Sequence, residues 1–179
     1  FQHLLYTAIN AGQPMAVRYP RGNGEGVSLK SSLQLLPVGK GEVLRDGHDL
    51  TVLAIGATVY PALAAAEQLV EDGIDCAVVN ARFAKPLDSE LILERAARTG
   101  RLLTVEENSL CGGFGGGVLE LISSAKLESV KVTCLGLPDR FIEHGTQELF
   151  RSMFDLDSEG IVKRVRVSFP ELYVKTSAR

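Results

Sequence analysis

From residue 49 onward, apolar runs of strand length alternate with segments whose apolar positions recur every three or four residues. "DLTVLAIG" (49–56) is a continuous apolar run, the pattern of a strand buried on both faces. "ATVYPALAAAEQLVEDG" (57–73) carries helical spacing at Val59, Leu63, Ala66 and Val70, with Pro61 in a first turn and Gly73 as terminator. The cycle repeats as strand 75–82, turn 83–88, helix 89–100, strand 101–107, a glycine-rich turn, helix 117–126 and strand 130–137. "GKGEVLRDG" (39–47) alternates like an edge strand. Strands and helices alternating at this spacing imply βαβ crossovers and a mostly parallel sheet covered on both sides. The expected fold class is therefore α/β, a three-layer αβα sandwich of about five strands. A loop (138–145), a short helix at 146–154 capped by Thr146 and an amphipathic helix at 157–169 capped by Asp157 or Ser158 complete the pattern.

The first residues do not join this series. "FQHLLYTAINAG" places Leu4, Leu5, Ala8 and Ile9 on one helical face, and "PMAVRYPRG" (14–22) reads as a short strand leading into a polar turn. Residues 23–37 form the expected linker, so residues 1–30 are expected to be the remnant of another α/β domain and 31–179 the main domain. With no initiator Met and an abrupt helical start, the chain is expected to be a fragment.

Composition narrows the functional classes. The 179 residues are 45% hydrophobic and 23% charged with net charge -3, enough for one buried core and without the cationic face that nucleic acid or an anionic membrane requires. No apolar run approaches the length of a membrane span and no signal-peptide pattern opens the chain, so a cytoplasmic protein is expected. Cys76, Cys111 and Cys134 lack metal-ligand spacing and are expected to be reduced packing thiols.

Three places could carry chemistry. "CGGFGGG" (111–117) holds five glycines in six positions before a helix, which suits a phosphate cradle. It follows the third strand of the parallel series, though, and Glu106 and Glu107 stand at the strand exit, where they would repel a pyrophosphate. The favoured reading is a turn that lets the next helix press close to the sheet or to another subunit. Glu106 and Glu107 could act as acid or base, but adjacent strand residues point to opposite faces, so at most one is functional. Arg18 and Arg21 stand three apart at the end of an apolar run, where guanidinium groups can hold phosphate or form surface ion pairs. His144, behind Glu143 and before a helix, could orient a ligand or move a proton, with a structural or interface role favoured. His3 and His48 lie in unpromising contexts.

The segments "AVRYPRGN", "GKGEVLRDG", "VVNARFAKPLD", "ELILERAARTGRLLTVEEN", "GGFGGGVLEL" and "LGLPDRFIEHGTQELF" resemble, in this order, those of 1-deoxy-D-xylulose-5-phosphate synthases. The resemblance runs from about Tyr6 to Arg166 and is most specific in "RYPRG" combined with "LPDRFIEHG". It implies the end of a pyrimidine-binding domain followed by a transketolase-type C-terminal domain. It also implies a homodimeric thiamine-diphosphate and Mg²⁺ enzyme that decarboxylates pyruvate and transfers the two-carbon unit to glyceraldehyde 3-phosphate, for isoprenoid, thiamine and pyridoxal precursors. By the same resemblance Arg21 would bind the acceptor phosphate and Arg18 would be structural. Glu106, Glu107 and Asn108 would approach the active-site mouth. The cofactor, metal and catalytic residues would lie upstream, so the fragment alone is expected to be inactive and to serve dimerisation and active-site closure. Two alternatives stay open: the same region of a transketolase or a 2-oxo-acid dehydrogenase beta subunit, and a standalone anion- or nucleotide-binding or interaction module.

Overall fold

A computed structural model describes residues 1–19, 26, 28 and 31–174. The chain divides into two compact units, Phe1–Val38 and Gly39–Arg179.

In the first unit, helix α1 (Gln2–Asn10) forms where the apolar spacing predicts it. Its buried residue is Thr7, however, whereas Leu5 and Ile9 remain 41% and 74% exposed. The expected apolar face is thus not the face this unit covers. The Thr7 hydroxyl donates to the His3 carbonyl at 2.7 Å and accepts from the Leu36 N–H at 2.9 Å, and His3 Nδ1 accepts from the Gln34 N–H at 3.1 Å. Polar contacts therefore lay residues 34–36 along the helix. Of the strand expected at 14–22, residues 14–19 are described and are irregular. An apolar run becomes a strand only where a neighbouring strand takes its backbone groups, and residues 14–19 join no sheet among the described residues. Arg21 lies outside the described residues.

The second unit is a five-stranded sheet in the order β1-β3-β2-β4-β5, with β1 (Glu42–Arg45) antiparallel at one edge and the other strands parallel. β2 (Leu50–Ala54) and β3 (Cys76–Asn80) are almost wholly buried, as continuous apolar runs require. β4 (Arg101–Ser109) continues two residues past the expected strand, and β5 (Lys131–Leu137) forms the second edge. On one face, α2 (Val59–Glu71) and α6 (Ser158–Ser168) pack over Leu50, Val52, Cys76, Val78, Leu103 and Val105. On the other, α3 (Ser89–Thr99) and α4 (Phe114–Ser124) cover Leu53, Val79 and Leu102. The three-layer α/β architecture is the one its alternating pattern predicts. Beyond β5 come α5 (Gln147–Met153) and α7 (Glu171–Val174). Asp157 caps α6 by accepting from the Gly160 N–H, and Thr146 caps α5 by accepting from Leu149.

Cys76 is a packing thiol, pushed up to about 12 by burial. Cys111 departs from that expectation: it is exposed, on the turn that carries the chain from β4 to α4.

Candidate functional site

Ligands of open α/β sheets commonly bind at the carboxyl ends of the strands, where the strand order reverses. Here the reversal falls between β2 and β4. A single 3-10 turn (Gly56–Thr58) fills that place: the Ile55 N–H and the Thr58 hydroxyl both donate to the Val105 carbonyl, at 3.1 and 2.9 Å. The crevice is closed by the chain's own backbone.

The glycine segment lies beside it. Helix α4 starts at Phe114, three residues before the expected start, so Gly115, Gly116 and Gly117 form its first turn instead of leading into it. Glycine is unfavourable in a helix. Glu106 offsets that here: its carboxylate, fully buried, accepts the N–H of Phe114 at 2.8 Å and of Gly115 at 2.8 Å. A carboxylate supplied by the chain thereby occupies the anion position of the helix N-terminus. The glycines make this approach possible. A β-carbon on Gly113 would stand 2.5 Å from the Glu106 carboxylate, and one on Gly115 would stand 2.6 Å from Thr104 Oγ1 and 2.8 Å from Cys134 Sγ. On Gly116 it would meet open space. Burial raises the Cys134 thiol pKa above its ordinary value.

Glu107 points elsewhere, as strand alternation requires. It accepts from Arg151 Nε at 2.8 Å, both side chains about a fifth exposed. Arg151 is 44 positions away on α5, and no local pattern announces the pair. His144 is exposed in the loop before the α5 cap, and Arg18 is exposed in the first unit. The two glutamates are thus neighbours in sequence that serve different helices.

A second cluster went unread in the sequence. Asp88 caps α3 by accepting from the Leu91 N–H, and it also accepts from the Gly41 N–H at 3.0 Å and from Lys40 Nζ at 3.2 Å. Burial alone would raise its pKa, but these donors outweigh it and hold the carboxyl below its ordinary range. The cap could be read from "LDSEL"; its link to residues 47 and 48 positions away could not.

The described residues do not fit a diphosphate with a divalent metal. They bring together no group of three or more His, Cys, Asp or Glu side chains that could hold the ion, and two N–H groups at the start of α4, those of Phe114 and Gly115, are already engaged by Glu106. No helix among them is long and apolar enough to cross a membrane.

Residues 39–161 match the model of the transketolase C-terminal domain. The chain belongs to the transketolase C-terminal-domain family. In this transketolase C-terminal domain the closed crevice and the glutamate-filled helix end are the features of the carboxyl edge. The chain is 59% identical over 165 residues to 1-deoxy-D-xylulose-5-phosphate synthase 1 of Geobacter metallireducens, covering 92% of this chain and 26% of the relative. It is 52% identical over 163 residues to the 1-deoxy-D-xylulose-5-phosphate synthase of Desulforudis audaxviator, with 91% and 26% covered. The chain spans about a quarter of the length of these relatives. Among solved structures, a split-gene transketolase in an inactive beta4 tetramer aligns with TM-score 0.70 and 34% identity, over 76% of this chain and 44% of that one.

Proposed function

We propose that this chain is the C-terminal part of a thiamine-diphosphate- and Mg²⁺-dependent 1-deoxy-D-xylulose-5-phosphate synthase, a cytoplasmic transferase that condenses pyruvate with glyceraldehyde 3-phosphate. The observation that carries the reading is the 59% identity across 92% of the chain. In this reading residues 1–30 end the pyrimidine-binding domain and residues 31–179 form the C-terminal domain. The exposed Leu5 and Ile9 of α1 support it, because a helix from a larger domain keeps an apolar face for partners outside this chain. Arg21 binds the acceptor phosphate. Arg18, the Glu107–Arg151 pair and His144 belong to the surface that closes one side of a site completed by the rest of the synthase, and the assembled enzyme is a homodimer. The engagement of the α4 N–H groups by Glu106 argues against the rival reading as a nucleotide-binding module.

Calorimetric titration of this chain with thiamine diphosphate and Mg²⁺ tests the division of labour. The reading expects no heat of binding and no turnover of pyruvate with glyceraldehyde 3-phosphate. Micromolar cofactor binding would show that the chain carries a complete cofactor site and would overturn it.

A further inference from the structure

Helix α6 carries Lys163, Arg164 and Arg166, and two of these cations are held: Lys163 by Asp155 at 3.2 Å and Arg166 by Asp72 at 3.3 Å. Arg164, between them, is half-buried and meets no carboxylate within ion-pair distance among the described residues. Arg140, in the loop after β5, is exposed and likewise pairs with none of them, although Asp139 is its neighbour in the chain. A guanidinium partly withdrawn from water loses hydration that an ion-pair partner ordinarily replaces. Both arginines line one groove of about 360 Å³ beside the second half of β5, so the two unmet charges share a cavity.

The rest of the lining narrows what the groove accepts. Leu110, Met153 and Phe154 give it an apolar wall, and Leu110 and Met153 are 38% and 59% exposed. Asp155 lines it too, already paired with Lys163. Two guanidinium groups and one carboxylate make a balance that a monoanion neutralises and a dianion overshoots. A carboxylate matches the planar guanidinium through paired, charge-assisted N–H bonds, and the apolar wall needs a hydrocarbon body beside it. The volume lies near the lower end of the range for small-molecule sites.

We propose that this groove binds a small organic monoanion, a carboxylate with an aromatic or branched apolar body. Arg164 and Arg140 take the carboxylate, and Leu110, Met153 and Phe154 enclose the body. The proposal stands apart from the synthase reading, because the groove includes neither Glu106 nor the glycines of α4 and its lining runs only from Leu110 to Arg164.

A heteronuclear NMR titration of the 179-residue chain with 3-phenylpropanoate tests it, run beside the neutral 3-phenylpropanamide and inorganic phosphate. The expected result is saturable shifts at the amides of Leu110, Gly136 and Met153, with a Kd in the millimolar range. The neutral amide should bind at least tenfold more weakly, and phosphate should leave these signals in place. Arg164→Gln should weaken binding about tenfold while the urea midpoint stays unchanged, since this guanidinium holds no carboxylate of the described chain. Arg140→Gln, in an exposed loop, should weaken it as well and serves as the second variant. Four results overturn the proposal: no saturable shift at these amides up to tens of millimolar, equal affinity for acid and amide, indifference to both substitutions, or tighter binding of phosphate at the same residues.

Discussion

Gly115 and Gly116 are adjacent in the first turn of α4, yet a methyl group added to each meets different surroundings. Gly115→Ala drives a β-carbon into Thr104 and Cys134 and should destabilise the fold by about 1–3 kcal/mol. Gly116→Ala points into open space and should stabilise it by up to about 1 kcal/mol, because alanine is the better helix former. Urea denaturation of the two variants separates the outcomes, and equal effects would remove the close-packing account. Glu106→Ala leaves two buried N–H groups without their acceptor and should cost about 3 kcal/mol by the same measurement. Glu171 gives the pH dependence. Lys131, the start of its own helix and Arg101 hold its carboxyl at about 2, below an ordinary 4.5. A depressed carboxylate contributes stability that is present above the unfolded pKa and lost as pH falls through the folded one. Acid melts between pH 4.5 and 2 should therefore lose less stability in Glu171→Gln than in the parent; identical slopes would show that the ion cluster is energetically silent.

At the scale of elements, the caps divide by reach. Asp157 serves only α6 through Gly160, so Asp157→Ala should cost about 1 kcal/mol. Asp88 serves α3 and also holds Gly41 and Lys40 at the approach to β1, so Asp88→Ala should cost more, about 2 kcal/mol. Hydrogen exchange distinguishes them further: protection of β1 should fall in Asp88→Ala and stay unchanged in Asp157→Ala. The α6 cap was legible as Asp157 or Ser158, because a cap and the following apolar stripe lie within a few residues, and the structure places it at Asp157. The start of α4 was not, because a run of glycines looks like a turn until a buried carboxylate engages its N–H groups. The apolar run at 14–19 failed as a strand for the complementary reason, since pattern supplies a strand's side chains but not its hydrogen-bonding neighbour.

For the whole molecule, the proposed synthase role places the chemistry across more polypeptide than this chain contains. In the complete enzyme, Arg21→Ala should raise the KM for glyceraldehyde 3-phosphate about tenfold or more, the loss of a charge-assisted phosphate contact, while sparing pyruvate decarboxylation. Unchanged acceptor kinetics would take Arg21 out of the site. The sequence by itself determined the layered α/β class, the edge position of β1, the burial of β2 and the family, because each is written in local periodicity or in contiguous motifs. Tertiary structure alone decided that Glu106 fills the helix end that the glycines suggested for a phosphate. It also decided that Glu107 meets Arg151 and that β5 forms the second edge of the sheet. Those facts depend on which groups meet across long stretches of chain, and a buried carboxylate can reach a helix N-terminus only after the sheet and helix have been packed together.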